Sequence, residues 1–372
     1  MLSVFARKLH TGKRVLKERW VNFEDTVVSV SQEKRGTAVG KFEFICPAFV
    51  DPHSHIGLER FGEGDNSDVN DGLATIMPLA DTLDGVHMED LYFQKSVAAG
   101  VLYSCVMPGS FNLISGKTAV LRNWAPTTMS AMIGRAGIKA ALGLNPLVED
   151  NDACRPGTRI GSLSLLRNAF LEAGERKKES QHYTRAELQV LHNIASGKER
   201  LRVHVHHNDD IVSLLRLADE FALDLTIEHA LGAHMRSLEV YEELARRKIK
   251  VVYGPLDSYC GSSELRWSVK ENICTLLRSG VQFGLMSDHP VIPQENLLME
   301  SRHFLQYDKS PDDVIHLLTY TNACILGMED CMGSLERGLP ASFVCWDYDP
   351  FHMASVPEEV WAEGKKIHER GM

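Results

Sequence analysis

Pro47-Ala48-Phe49-Val50-Asp51-Pro52-His53-Ser54-His55-Ile56-Gly57 is the stretch around which the chain is organised. The apolar run from Phe44 to Val50 predicts a buried strand. It ends in two histidines one residue apart, and residues two apart on a strand point to the same side. His53 and His55 therefore aim two imidazoles at one point beyond the strand end. Imidazole is a ligand for zinc and related divalent ions. A bare His-x-His is more often a polar strand exit, so a metal site needs further ligands from elsewhere.

Downstream of residue 47, apolar strands alternate with amphipathic helices. Strands are expected at Val101–Met107, Lys117–Leu121, Ile138–Leu142, Leu201–His206, Leu225–His229, Lys250–Tyr253 and Val281–Ser287. Helices are expected around His87–Ala99, Ser162–Glu175, Arg185–Ile194, Asp210–Phe221, Leu238–Arg247 and Val269–Gly280, with loop at 146–160. Such alternation implies parallel pairing with right-handed crossovers, and about eight such units make a (β/α)8 TIM barrel. A doubly wound sheet is the alternative, but no Gly-x-Gly-x-x-Gly opens a helix. Upstream, residues 1 to about 46 alternate apolar and polar positions and predict a small antiparallel sheet. The tail, with Ser342–Trp346, Val360-Trp361 and Gly364–Ile367, reads as short strands completing it. The expected organisation is a small β-sandwich from residues 1–46 and 335–372, and a catalytic barrel over 47–334.

The chain has 372 residues, is 44% hydrophobic and carries a net charge of −10. That supports a large core and argues against a nucleic-acid surface. No apolar run reaches the roughly 18 residues of a transmembrane helix. The first 20 residues are basic but lack a signal-peptide apolar region, and a mitochondrial presequence is only weakly suggested. The eight cysteines, Cys46, Cys105, Cys154, Cys260, Cys274, Cys324, Cys331 and Cys345, include no Cys-x-x-Cys. Scattered thiols flanked by apolar residues fit a reducing, cytoplasmic location.

The strand ends carry the chemistry. Beyond His53 and His55, one expected strand presents His204 and His206 on one side, the next ends in His229, and the last leads to Asp288. Barrel active sites lie where strands end. Histidines and an aspartate at four such ends point to a metal centre.

These residues, together with Met107-Pro108-Gly109-Ser110, Thr158-Arg159-Ile160-Gly161, His204 to Ile211, Ile227-Glu228-His229, Gly254-Pro255, Ser287-Asp288-His289-Pro290 and Gly333-Ser334-Leu335-Glu336, carry a resemblance over nearly the whole chain. The sequence resembles the amidohydrolase superfamily, in particular its imidazolonepropionase-related branch. The resemblance implies the barrel and terminal β-sandwich, and metal ligands at His53, His55, His204 and Asp288. It implies His229 as a ligand to a second ion or as a donor to the substrate carbonyl. Asp288 would also be the general base for water. Binuclear relatives bridge their ions with a carboxylated lysine or a glutamate, and Lys139 is the candidate here. Relatives tend to carry an acidic residue where this chain has Leu144, which cannot bind a metal. One ion, most simply zinc, is therefore expected rather than two. The family's Pro-Gly-Phe is Pro47-Ala48-Phe49 here.

Other stretches read more plainly. Ser115-Gly116-Lys117-Thr118 lacks the first phosphate-loop glycine, since position 111 is Phe111. His206 is a candidate substrate contact, and His207 should point away. Asp209 and Asp210 are expected to cap a helix. His234 and His289 are weak candidates, and Asp65–Asp71 is expected to be a solvated loop. The function expected is metal-dependent hydrolysis of an amide or cyclic amide C–N bond of a small molecule. A deaminase, or a degenerate barrel that only binds, is the alternative. No nucleic-acid or membrane partner is expected; a homo-oligomer is possible, since dimers are common, but the sequence does not decide the oligomeric state.

Overall fold

The computed structural model describes residues 1–63, 66–147, 155–174, 180–233, 238–258, 263–266 and 268–371. Strands β1 (Leu2–His10), β2 (Val15–Phe23), β3 (Val27–Ser31) and β4 (Thr37–Pro47) open the chain. At its far end lie β15 (Phe343–Trp346), β16 (Glu359–Ala362) and β17 (Lys365–Glu369). Both ends meet in one seven-stranded sheet, β17-β16-β15-β4-β1-β2-β3, joined where β15 runs antiparallel to β4. The expected sandwich is thus, by strand pairing, a single sheet. It has its own apolar cluster, with Val4, Val21, Phe23, Phe343 and Trp361.

Between them run β5 (Phe49–Ser54), β6 (Val101–Val106), β7 (Ile114–Lys117), β8 (Ala119–Arg122), β9 (Met132–Gly134), β10 (Ile138–Ala141), β11 (Leu201–His207), β12 (Leu225–Gly232), β13 (Lys250–Tyr253) and β14 (Phe283–Leu285). They form two mixed sheets, β14-β13-β12-β11-β10-β7 and β5-β6-β8-β9, in a TIM-barrel-like α/β fold. β10 to β14 pair in parallel, as do β5 and β6. Helices Arg159–Gly174 and Arg185–Ala195 precede β11, and Asn208–Glu220, Glu239–Arg246 and Asn272–Arg278 follow it and the next strands in turn.

The βα rhythm breaks between β6 and β10. The strand expected at Lys117–Leu121 is two strands split at Thr118, one in each sheet. Thr118 donates from both N and Oγ1 to the Gly137 carbonyl, each at 3.0 Å, which fixes the crossing. β7 and β8 pair antiparallel with β10 and β6, because no crossover helix of useful length separates them. At the other edge, the Asp288 N–H donates to the His53 carbonyl at 3.2 Å and the His55 N–H to the His289 carbonyl at 2.9 Å. The residues after β14 are thereby stitched to the His-x-His strand.

Helix ends differ from expectation for local reasons. The first long helix begins at Leu91, not His87, because the Asp90 side chain accepts from the Tyr92 N–H at 2.9 Å and caps it there. The helix after β11 begins at Asn208, and its cap position is His207. Asp210 therefore lies in the first turn, where it accepts from Arg159 Nε at 2.8 Å instead of capping.

Candidate active site

His53, at the end of β5, is fully buried. Its Nδ1 lies 2.9 Å from Glu228 Oε2, and its Nε2 lies 3.1 Å from Lys139 Nζ and 3.2 Å from Asp288 Oδ1. His55 Nδ1 lies 2.7 Å from the Met107 carbonyl oxygen. A carbonyl only accepts, so Nδ1 holds the proton and Nε2 presents a lone pair, 3.4 Å from Asp288 Oδ1. His53, His55 and Asp288 each place a ligand atom within 4.8 Å of the others.

A second group of the same span consists of His204, His206 and His229. The expectation placed His204 with His53, His55 and Asp288; the structure gathers it with the other two histidines. β11 and β12 are neighbours, with His204 opposite Glu228 and Val205 opposite His229, so register alone would face His229 away from His204, and the left-handed backbone at His229 turns its ring back. The His204 ring lies 4.9 Å from that of His206 and 4.4 Å from that of His229, and the His206 and His229 rings stack at 4.6 Å. His229 Nδ1 lies 2.9 Å from the Gly254 carbonyl, which leaves its Nε2 as a bare lone pair. That Nε2 and His206 Nδ1 are buried with no hydrogen-bond partner. The two groups adjoin, the His53 and His229 rings being 5.0 Å apart.

His229 and Asp288 both adopt left-handed backbone conformations, with φ of 74° and 53°. Non-glycine residues there are strained, and such strain persists where surrounding structure over-determines it. At His229 it serves a purpose: consecutive strand residues should face opposite sides, yet Glu228 reaches His53 while His229 reaches His204.

The charges are sorted by environment. Burial holds His204 and His206 well below the usual histidine range and His229 down to about 4, so all three are neutral at pH 7. Burial also lowers His55. Burial alone would raise Asp288, yet its carboxylate lies well below the usual range and is ionised at pH 7. Lys139 is fully buried, and burial brings it down to about 8 against the pull of Asp288 and Glu228. Neutral imidazoles, an anionic carboxylate and orphaned ring nitrogens with no other use fit a divalent cation. Another group, Asp257, Glu300 and His303, is filled by its own cation, since Lys270 Nζ sits 2.8 Å from Asp257 Oδ1.

Several residues near the site were not singled out by sequence. Asn145 Nδ2 lies 3.1 Å from His204 Nε2 and donates to Ser110 Oγ at 2.8 Å. Asp51 accepts from Gln294 Nε2 at 2.8 Å and from the Ser287 hydroxyl, bracing the segment before Asp288. Arg202 and Glu228 pair inside the barrel-like core. The available signal was a charged residue inside an apolar strand. His289, fully buried against Tyr92 with ring centres 4.4 Å apart, packs rather than joining either donor group. His207 is only half-buried and stands outside both groups. His234, Cys154 and Cys260 lie outside the described residues, as does Asp65.

The position of Leu144 is also explained. Its N–H donates to Glu264 Oε1 at 3.0 Å, so a carboxylate does stand beside this turn, supplied from far along the chain. Gly143, at φ 93°, must remain glycine because a Cβ would collide with that oxygen. Burial raises Glu264 to about 7 despite the Leu144 bond. With the folded value above the unfolded one, the stabilisation is complete below about 4.5 and is lost as pH rises through about 7. Glu264→Gln should therefore match wild type in thermal melts near pH 4.5 and exceed it at pH 8, by up to about 3 kcal/mol.

A strand-end site of this kind in a TIM-barrel-like fold defines a hydrolase class, and the comparisons name it. A model of the amidohydrolase family matches residues 162–367, and the chain belongs to that family. It is 30% identical to an amidohydrolase from Thermotoga maritima MSB8, with a TM-score of 0.91 over 100% of both chains. Amidohydrolase tasK of Hapsidospora irregularis is 24% identical over 379 residues, covering 92% of this chain but 37% of that protein. The chain thus spans little more than a third of the length of that curated relative. A prolidase complexed with N-methylphosphonate-L-proline shares the fold, with a TM-score of 0.64 at 15% identity over 99% of this chain and 100% of that one.

Proposed function

We propose that the protein is a metal-dependent hydrolase that cleaves the C–N bond of an amide or cyclic amide in a small molecule. The observation that supports this most is the pair of three-donor groups, drawn from within β11 and β12 and from the residues at the end of β5 and just beyond β14. By donor type the ion is zinc, held by His53, His55 and Asp288, with His204, His206 and His229 offering a second place. Two complete groups move the expectation from one ion to two. Bound there, a divalent ion polarises the scissile carbonyl and acidifies water.

The chain's own residues do the rest. Asp288, anionic and at the rim, accepts the proton of the attacking water and delivers it to the leaving nitrogen. Water thus adds hydroxyl to the carbonyl carbon as the C–N bond breaks and the amine leaves protonated. The His229 proton is committed to Gly254, which favours a ligand role over donation to the substrate carbonyl. His206, expected as a substrate contact, presents its orphaned nitrogen beside His229 and fits the same ligand group. The motifs from His204 to Ile211 and Ser287 to Pro290 favour the imidazolonepropionase-related branch. Six free cysteines among the described residues fit a cytoplasmic location.

Lys139, whose lowered value leaves an appreciable neutral amine, is proposed to add carbon dioxide. A nitrogen–carbon bond forms, a proton is lost, and the carbamate would supply a further carboxylate donor to the site. Lys139→Ala should lose one ion and at least roughly tenfold in metal affinity, on the scale of losing a supporting ligand group. Carbon-13 NMR with labelled bicarbonate should show a carbamate in wild type alone.

Metal analysis of protein purified without chelator, followed by a screen of N-acyl amino acids, dipeptides, hydantoins and imidazolones, tests the whole reading. Stoichiometric metal and chelator-sensitive release of an amine or opening of a ring are expected. No metal and no turnover with any of these would overturn it, and release of ammonia instead would mark a deaminase.

A further inference from the structure

Glu228 is held between Arg202 and His53. Arg202 Nε donates to Glu228 Oε1 at 2.8 Å and Nη2 donates to Oε2 at 3.1 Å. The same guanidinium donates to the Pro52 carbonyl at 2.8 Å and meets Cys105 Sγ at 3.3 Å. Arg202 therefore grips both the carboxylate and the backbone just before His53. The two charged side chains are 1% and 0% exposed. A pair so buried is a poor stabiliser, because desolvation offsets its attraction and apolar residues often replace it without loss. Stability alone gives no reason for it here.

Geometry supplies one. A carboxylate only accepts hydrogen bonds, so at 2.9 Å from Glu228 Oε2 the Nδ1 of His53 must be the donor. That leaves the opposite nitrogen free, and Nε2 is the atom that faces Lys139 and Asp288. Which nitrogen of a histidine binds a metal is set by the bond the other makes.

We propose that Glu228, locked in place by Arg202, is a positioning residue that keeps the His53 proton on Nδ1 and commits Nε2 to the metal. The inference rests on the metal-dependent reading of the site.

Nitrogen-15 NMR of histidine-labelled, zinc-loaded protein tests it directly, with the His53 signals assigned by their loss in His53→Asn. The expected result is a proton on Nδ1 and zinc on Nε2; the reverse arrangement overturns the proposal without recourse to any other variant. Two replacements give a second test. Glu228→Gln removes the charge at constant shape, and Arg202→Met with Glu228→Leu exchanges the whole pair for apolar groups of similar volume. Zinc affinity, read by chelator competition, should fall roughly 10–100-fold in both, while a value within about threefold of wild type in a folded variant overturns the proposal. A purely structural pair would instead lower the melting temperature and leave zinc affinity unmoved. If a variant does not fold, the NMR result on wild type decides. Wild-type protein that takes up no zinc fails the metal-dependent reading itself, whereas unchanged affinity in the variants fails only the positioning role.

Discussion

His53→Ala and His55→Ala are each expected to lose bound metal and activity together. Both imidazoles leave the end of β5 toward Asp288, at 3.2 and 3.4 Å from the same carboxylate oxygen. Each has its Nδ1 engaged on the far side, by Glu228 and by the Met107 carbonyl, so each offers Nε2 and nothing else. Alanine removes one of three donors in the group and leaves no side chain to replace it. The loss should exceed the roughly 10–100-fold in affinity that follows removal of a supporting hydrogen bond to a ligand. Elemental analysis of the purified variants, with circular dichroism to confirm folding, checks this. Wild-type metal content in either folded variant would remove that histidine from the site.

Asp288→Asn is expected to retain fold and part of the metal while losing turnover by roughly 10²-fold or more, the scale of general-base catalysis. Asparagine is nearly isosteric and can coordinate through its oxygen, but it cannot accept a proton. The position permits the role. Asp288 lies well below the usual carboxylate range despite its burial, and the backbone before it is tied to Asp51 and that after it to His55. Because its value is depressed, the carboxylate remains available as a base down to acid pH. Any acid limb in the rate profile near neutrality should therefore survive in the variant, since another group produces it. Substrate binding should suffer less than turnover. The competing account is that Asp288 only supports its turn. The substitution would then cost at most ~1 kcal/mol of stability and leave turnover near wild type. Rates with a substrate from the screen separate the two.

The gathering of the donors was legible early because it depends on local periodicity. His53 and His55, or His204 and His206, share a side whatever the rest of the chain does, since the side-chain period of a strand is two. The placement of His53 and His55 at the end of β5 follows from an apolar run that must be buried before the polar residues begin. The family resemblance rests on the same short segments, and the comparisons bear it out at the level of the amidohydrolase family. Lys117–Leu121 shows where this reasoning stops. Its apolar pattern is correct for each half, but Thr118 places the halves in different sheets through its bonds to Gly137, and no local pattern encodes a partner 19 residues away.

The amino-acid sequence by itself determined the TIM-barrel-like α/β class, the strand character of both ends, and the residue types of the site, because hydrophobic period and strand-end chemistry are local properties. Only the tertiary structure decided the grouping. His204 lies with His206 and His229 because β11 pairs with β12 and the left-handed backbone at His229 turns two consecutive residues toward the interior. The same folding brings Glu264 beside Leu144 and closes Arg202 and Glu228 around His53. Those are contacts between side chains distant along the chain, set by packing geometry that no spacing in the sequence records.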